Sequence, residues 1–128
     1  MDNYTTAETA WKLKEKGFPQ PEPQKGQIWH GKEGAYQVMA FQGENSFVNE
    51  STVYCHRVGS TQVFDMPLNL FEKFVYAPTP ADILKELGKD YNLSFFEGLF
   101  YCVWDNLMGE AYSHENPAEA CALAYMDK

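Results

Sequence analysis

Arginine occurs once in this sequence, at Arg57, and ten basic residues face eighteen acids, for a net charge of −8. Nucleic-acid binding draws on clustered Lys and Arg to neutralise phosphates, so no nucleic-acid partner is expected. The imbalance is uneven. Up to Ala35 lysines and acids balance, whereas from Tyr91 onward Lys128 alone offsets six acids. An acidic surface of this kind serves solubility and suits a basic protein partner. Apolar runs fall far short of the ~20 residues of a membrane-spanning helix. The opening Met1-Asp2-Asn3-Tyr4 shows no basic stretch followed by an apolar one, which points to the cytoplasm. Three cysteines, Cys55, Cys102 and Cys121, without CxxC spacing, read as buried reduced thiols rather than a disulfide frame.

Motifs that carry chemistry are equally scarce. GxGxxG, the P-loop, GxSxG and HExxH do not occur. Cys55-His56 sets two soft ligands side by side, but neighbours in a strand point to opposite faces and are poorly placed to share one ion. No metal or cofactor is expected. Cys102 lies in an apolar strand and Cys121 on a helix packing face, where burial raises a thiol pKa and makes it inert. Asp105 and Glu110 flank one turn, a position that commonly serves solvation. An enzyme would need His30, His56 or His114 gathered by the fold around an acid.

What is present is an ordinary globular composition. The 128 residues are 45% hydrophobic and 22% charged, enough for one domain with a core. Thr5 and Glu8 have capping-box spacing for a first helix with Ala7, Ala10, Trp11 and Leu13 as its apolar stripe. Gly17-Phe18-Pro19 ends it, with Phe18 placed to touch Leu13. Gln20-Pro21-Glu22-Pro23-Gln24 follows as a stiff connector. Two hairpins are expected next, 27–30 with 35–41 around Gly31 to Gly34, and 53–58 with 61–64 around Gly59-Ser60. Gly43-Glu44-Asn45 and Asn49-Glu50-Ser51 read as polar breaks, and 66–76 fits either a helix or a bent strand.

Thr79 and Pro80 open a second helix, which Gly88 closes. Strands 93–96 and 99–104 surround Gly98, the second of them apolar on both faces and therefore central under a helix. Asp105 to Gly109 makes a turn, and 110–114 pairs back. Asn116 caps a last helix, with Pro117 at its first position, Glu119 completing a capping box, and Ala118, Cys121, Ala122 and Tyr125 on one face. The expected architecture is one α+β domain, a mainly antiparallel sheet with about three helices packed on it. Residues 1–26 form its N-terminal helix and connector, and residues 27–128 the sheet with two further helices.

Aromatics reach 16% of the chain. Trp29, His30 and Tyr36 in the first hairpin, and Trp104, Asp105 and Tyr112 near the C-terminal turn, are the candidate binding residues; most such rings fill cores. Arg57 is the one guanidinium for recognising a carboxylate or phosphate, or for a structural ion pair.

Three segments, Ala10–Pro21, Tyr76–Leu87 and Glu115–Ala122, together resemble small uncharacterised proteins of phages and prophages of gut bacteria. That family has no assigned activity, and the resemblance implies a bacterial cytoplasm. With the acidic surface, the abundant aromatics and the missing catalytic motifs, the expectation is a non-enzymatic accessory protein that binds a host or phage protein. The resemblance carries no functional residue. The strands before Asn116-Pro117-Ala118-Glu119-Ala120 also look like the end of HicB-type antitoxin domains, which neutralise small RNA-cleaving toxins. A pocket that sequesters a nucleotide-like ligand is the further alternative, with Arg57 or lysines as the expected contacts.

Overall fold

Three helices and eight strands form in the computed structural model, which describes residues 3–42, 52–104 and 111–127. The α+β class with antiparallel sheets is as expected, but the strands are divided between two sheets. Two compact units result, Gln20–Ala77 and, enclosing it in sequence, Met1–Pro19 with Pro78–Lys128. The N-terminal helix therefore groups with the C-terminal half rather than with the connector that follows it.

The inner unit is a five-stranded sheet in the order β4-β3-β2-β1-β5, comprising β1 (Ile28–Gly31), β2 (Gly34–Gln42), β3 (Thr52–Arg57), β4 (Val63–Pro67) and β5 (Val75–Tyr76). Both expected hairpins are there, and every pairing is antiparallel. The ambiguous stretch proves to be neither alternative alone. Leu68–Lys73 forms 3₁₀ turns and β5 follows. The reason is tertiary: Phe71 and Phe74 both turn into the sheet's core, which a continuous strand would not allow.

That core is aromatic. Trp29 meets Phe71 edge-on at 5.4 Å and Tyr76 at 5.4 Å, while Tyr36 stacks on Phe74 at 5.7 Å with 8° between the rings. Val38, Val53, Cys55 and Met66 complete it from the same sheet face. Gly31 is required here by space, because a Cβ at that position would stand 2.8 Å from Phe74 Cε1.

The enclosing unit holds α1 (Ala7–Glu15), α2 (Pro80–Leu87), the meander β6 (Tyr91–Phe96), β7 (Leu99–Trp104) and β8 (Ala111–His114), and α3 (Pro117–Met126). β7 is central, as expected. Helix α3 packs against α1, α2, β7 and β8. Its alanines 118, 120, 122 and 124 and Cys121 are all buried, so this helix is apolar on nearly every side and sits at the centre of the unit. Leu13, Phe18, Ile83, Leu87 and Cys102 close around it.

The helix ends show where local reading holds and where it does not. Gly17 has φ +95°, and the Phe18 and Gly17 amides donate to Leu13 and Lys14 carbonyls, the Schellman arrangement that the sequence announced. Thr79 and Asp82 form a full capping box under Pro80. The first helix differs. Its cap is Thr6, not Thr5, and Thr5 is buried. Nor does Glu119 complete a box with Asn116. Its carboxylate instead accepts from Thr9 Oγ1 at 2.6 Å and from the Thr6 amide at 3.3 Å, serving the start of α1. Asn116 caps α3 alone, accepting from the Ala118 and Glu119 amides, while its own side-chain amide donates to the Tyr4 carbonyl. Trp11, expected in the apolar stripe, is exposed with Lys14 Nζ 5.1 Å from its ring. Ala10 and Leu13 supply the buried face.

Candidate functional site

Of the residues singled out in the first hairpin, Trp29 and Tyr36 lie in the core of the inner unit, and His30, on the other sheet face, is buried as well. Trp29, Tyr36 and His30 are only 3%, 6% and 7% exposed, which corrects their assignment to an accessible surface. The physical reason is register. Trp29, Tyr36 and Tyr76 are cross-strand neighbours on the core face, where ring burial is worth more than exposure. Trp29 Nε1 is satisfied locally by Gln27 Oε1 at 3.0 Å. Arg57 is half-buried and donates to the Glu33 carbonyl across the first hairpin, over Gly34.

In the enclosing unit, Tyr112 is half-buried, packs on the core and donates to the Asp127 carboxylate. Trp104 belongs to β7, opposite Tyr91. Asp105, Glu110 and the turn containing them, like the two polar breaks at 43–45 and 49–51, lie outside the described residues.

The thiols are packed groups. Burial pushes the Cys55 pKa up to about 11. The hydrogen bond with Cys102, and then burial, hold the Cys121 thiol well above its ordinary value. A thiolate nucleophile needs the opposite shift. Cys102 has it, contrary to expectation, because its hydrogen bond with Cys121 lowers its pKa against the effect of burial, but that thiol is fully buried. Cys55 points into the core while His56 contacts Gln37 Oε1 at 2.8 Å and the Arg57 carbonyl at 3.1 Å, so the two neighbours do face apart. Among the described residues no three His, Cys, Asp or Glu side chains stand together for a metal ion.

The surface feature that the residue-by-residue reading missed is the outer edge of β6. Strand β6 lies at the margin of the β6-β7-β8 sheet. Tyr91-Asn92-Leu93-Ser94-Phe95-Phe96 carries no charge and no proline, two of the common means of protecting an edge. Phe95 and Phe96 are 59% and 63% exposed. The edges of the inner sheet are different: β5 has two residues, and β4 carries Asp65 and ends in Pro67.

The hairpin fixes which groups this edge presents. Phe96 pairs with Leu99 across Glu97-Gly98, and both turn residues have positive φ, the type I′ pattern. In such a two-residue hairpin the flanking pair exchanges hydrogen bonds, and alternation then assigns bonded pairs to Ser94 and Asn92. The N–H and C=O groups of Leu93 and Phe95 therefore point outward along the edge, while the Tyr91 amide donates to the Gly88 carbonyl.

Beside that edge is an open cleft of about 560 Å³. Leu93 and Phe100 form its sheet side; Thr79, Pro80 and Ala81 from the start of α2, Pro117 from the start of α3, and Asn3 form the rest. Phe95 extends the apolar surface, with its ring 4.7 Å from that of Phe100. The lining is apolar apart from Asn3 and Thr79, and the Thr79 hydroxyl is engaged with Asp82. Neither Arg57 nor a lysine lines it, unlike the anion pocket expected for a nucleotide-like ligand.

Comparison with protein-family models, with curated proteins and with solved structures returns no match to this chain. No helix among the described residues is long and apolar enough to cross a membrane.

Proposed function

We propose that the chain is a non-enzymatic accessory protein of phage or prophage type that acts by binding another protein, with the β6 edge and its cleft as the contact surface. One observation carries this reading: an uncharged edge strand with two exposed phenylalanines beside an apolar cleft. Exposed aromatic surface next to unsatisfied backbone groups is what a protein partner covers and what solvent disfavours. The acidic surroundings add a preference for a basic partner.

The test is a tagged pull-down from bacterial lysate, read by mass spectrometry against an unrelated acidic protein. A reproducible stoichiometric partner, lost with Phe95→Ser/Phe96→Ser while circular dichroism stays native, is the expected result. Capture of nothing, together with thermal stabilisation by a nucleotide, would replace this reading with ligand sequestration. The antitoxin-type alternative draws on α3 following the three-stranded meander directly. It is a special case of protein binding, and inhibition of a small RNA-cleaving toxin is its assay.

A further inference from the structure

Resting on the protein-binding reading, we propose a specific mode: β6 accepts an extended, basic-flanked segment of a partner as a fourth strand, with alternate apolar side chains of that segment seated in the cleft. Three observations converge on it. The outward N–H and C=O groups of Leu93 and Phe95 form a ladder half that another extended backbone can complete. Those same residues direct their side chains to the sheet face that carries Phe100 and Cys102, so an antiparallel added strand places its bonded residues on that face too. The cleft lies on that face, between the strand and the first turns of α2 and α3. Backbone pairing and side-chain seating are thereby in register.

Charge chooses the occupant. From Asp90 to Asp127 the sequence has seven acids and no Lys or Arg; Glu97 follows β6 directly, and Lys89 offsets Asp90 at its start. A second copy pairing through β6 would bring two acidic segments together, in a chain already at −8. A segment carrying lysine or arginine meets opposite charge at Glu97 and in the acidic sequence around it instead.

The probe is a short fluorescein-labelled peptide of alternating valine and threonine between paired lysines, titrated with the whole protein by anisotropy. Saturable binding is expected, weakened roughly fivefold for each backbone N-methyl placed on a valine and unchanged by N-methyl on a threonine in the centre. Ala81→Trp, on an exposed helix position that lines the cleft, fills it and abolishes binding without loss of fold. Replacing the lysines by glutamates abolishes it as well.

Absence of binding by the lysine-flanked peptide, or equal weakening by both N-methyl sets, overturns the proposal. So does a concentration-dependent dimer in light scattering that the peptide cannot dissociate, which assigns the edge to a second copy. A pulled-down partner that Ala81→Trp still retains would overturn strand addition while leaving protein binding in place.

Discussion

Replacing Gly31 by alanine isolates one steric contact. The new Cβ would stand 2.8 Å from Phe74 Cε1, 3.1 Å from Cδ1 and 3.2 Å from Cζ. Phe74 has little room to retreat. Its ring is stacked on Tyr36 at 5.7 Å and set against Phe71 at 5.3 Å, and the side chain is buried. Overpacking of this sort costs about 1–3 kcal/mol, and the loss of glycine's backbone freedom in a strand returns about 0.5–1 kcal/mol. A net destabilisation of about 1–2 kcal/mol follows, or a urea midpoint lowered by about 0.5–1 M. Tryptophan fluorescence is the readout, since Trp29 lies in the same core. The control is Phe74→Leu, which removes the opposing ring. In that background Gly31→Ala is expected to become neutral or stabilising, a coupling of about 1 kcal/mol or more. An equal cost in both backgrounds would refute the argument from the Phe74 contact.

Two further outcomes follow from packing elsewhere. Glu119→Ala removes the acceptor of the Thr9 hydroxyl and Thr6 amide, and is expected to cost about 1–2 kcal/mol and lower Tm by about 4–8 °C; Glu119→Gln, which keeps an acceptor oxygen, loses less, and calorimetry of both variants checks the order. Cys55, with its pKa raised from 9.0 to about 11, is expected to stay unmodified by a thiol reagent at pH 8 until the chain is denatured. Because burial favours the protonated thiol in the folded state, its contribution to stability is complete below pH 9 and is lost as pH rises towards about 11, so Cys55→Ala should flatten that alkaline limb in urea titrations.

The fold was legible wherever its determinants are local. Gly17-Phe18-Pro19, Thr79-Pro80 and Asn116-Pro117 mark helix ends by backbone chemistry that operates within a few residues, and the structure has helices ending or beginning at each. Glu119 shows the limit. Its spacing from Asn116 fits a capping box, but Thr6 and Thr9 compete for the same carboxylate from the far end of the sequence, and the tertiary bonds win. The grouping of α1 with the C-terminal half was hidden for the same reason: it depends on which apolar faces find each other, as Leu13 and Phe18 do with Cys121 and Ala124.

The candidate site was less legible because neither burial nor edge position is a property of a residue type. Trp29 and Tyr36 looked as suitable for a partner as Phe95 and Phe96, since a ring's transfer free energy is the same in either place. Sheet order decides between them. β1 and β2 have neighbours on both sides, and their rings are closed in by the 3₁₀ segment carrying Phe71. Among the described residues β6 has a neighbour on one side only, and Phe95 and Phe96 are left to solvent. One signal was available in the sequence: six residues without charge or proline, followed by the Glu97-Gly98 turn, in the most acidic third of the chain. Uncharged strands are safe in the middle of a sheet and hazardous at its margin. Once the order places this one at the margin, its lack of protection becomes the strongest argument that something is meant to pair with it.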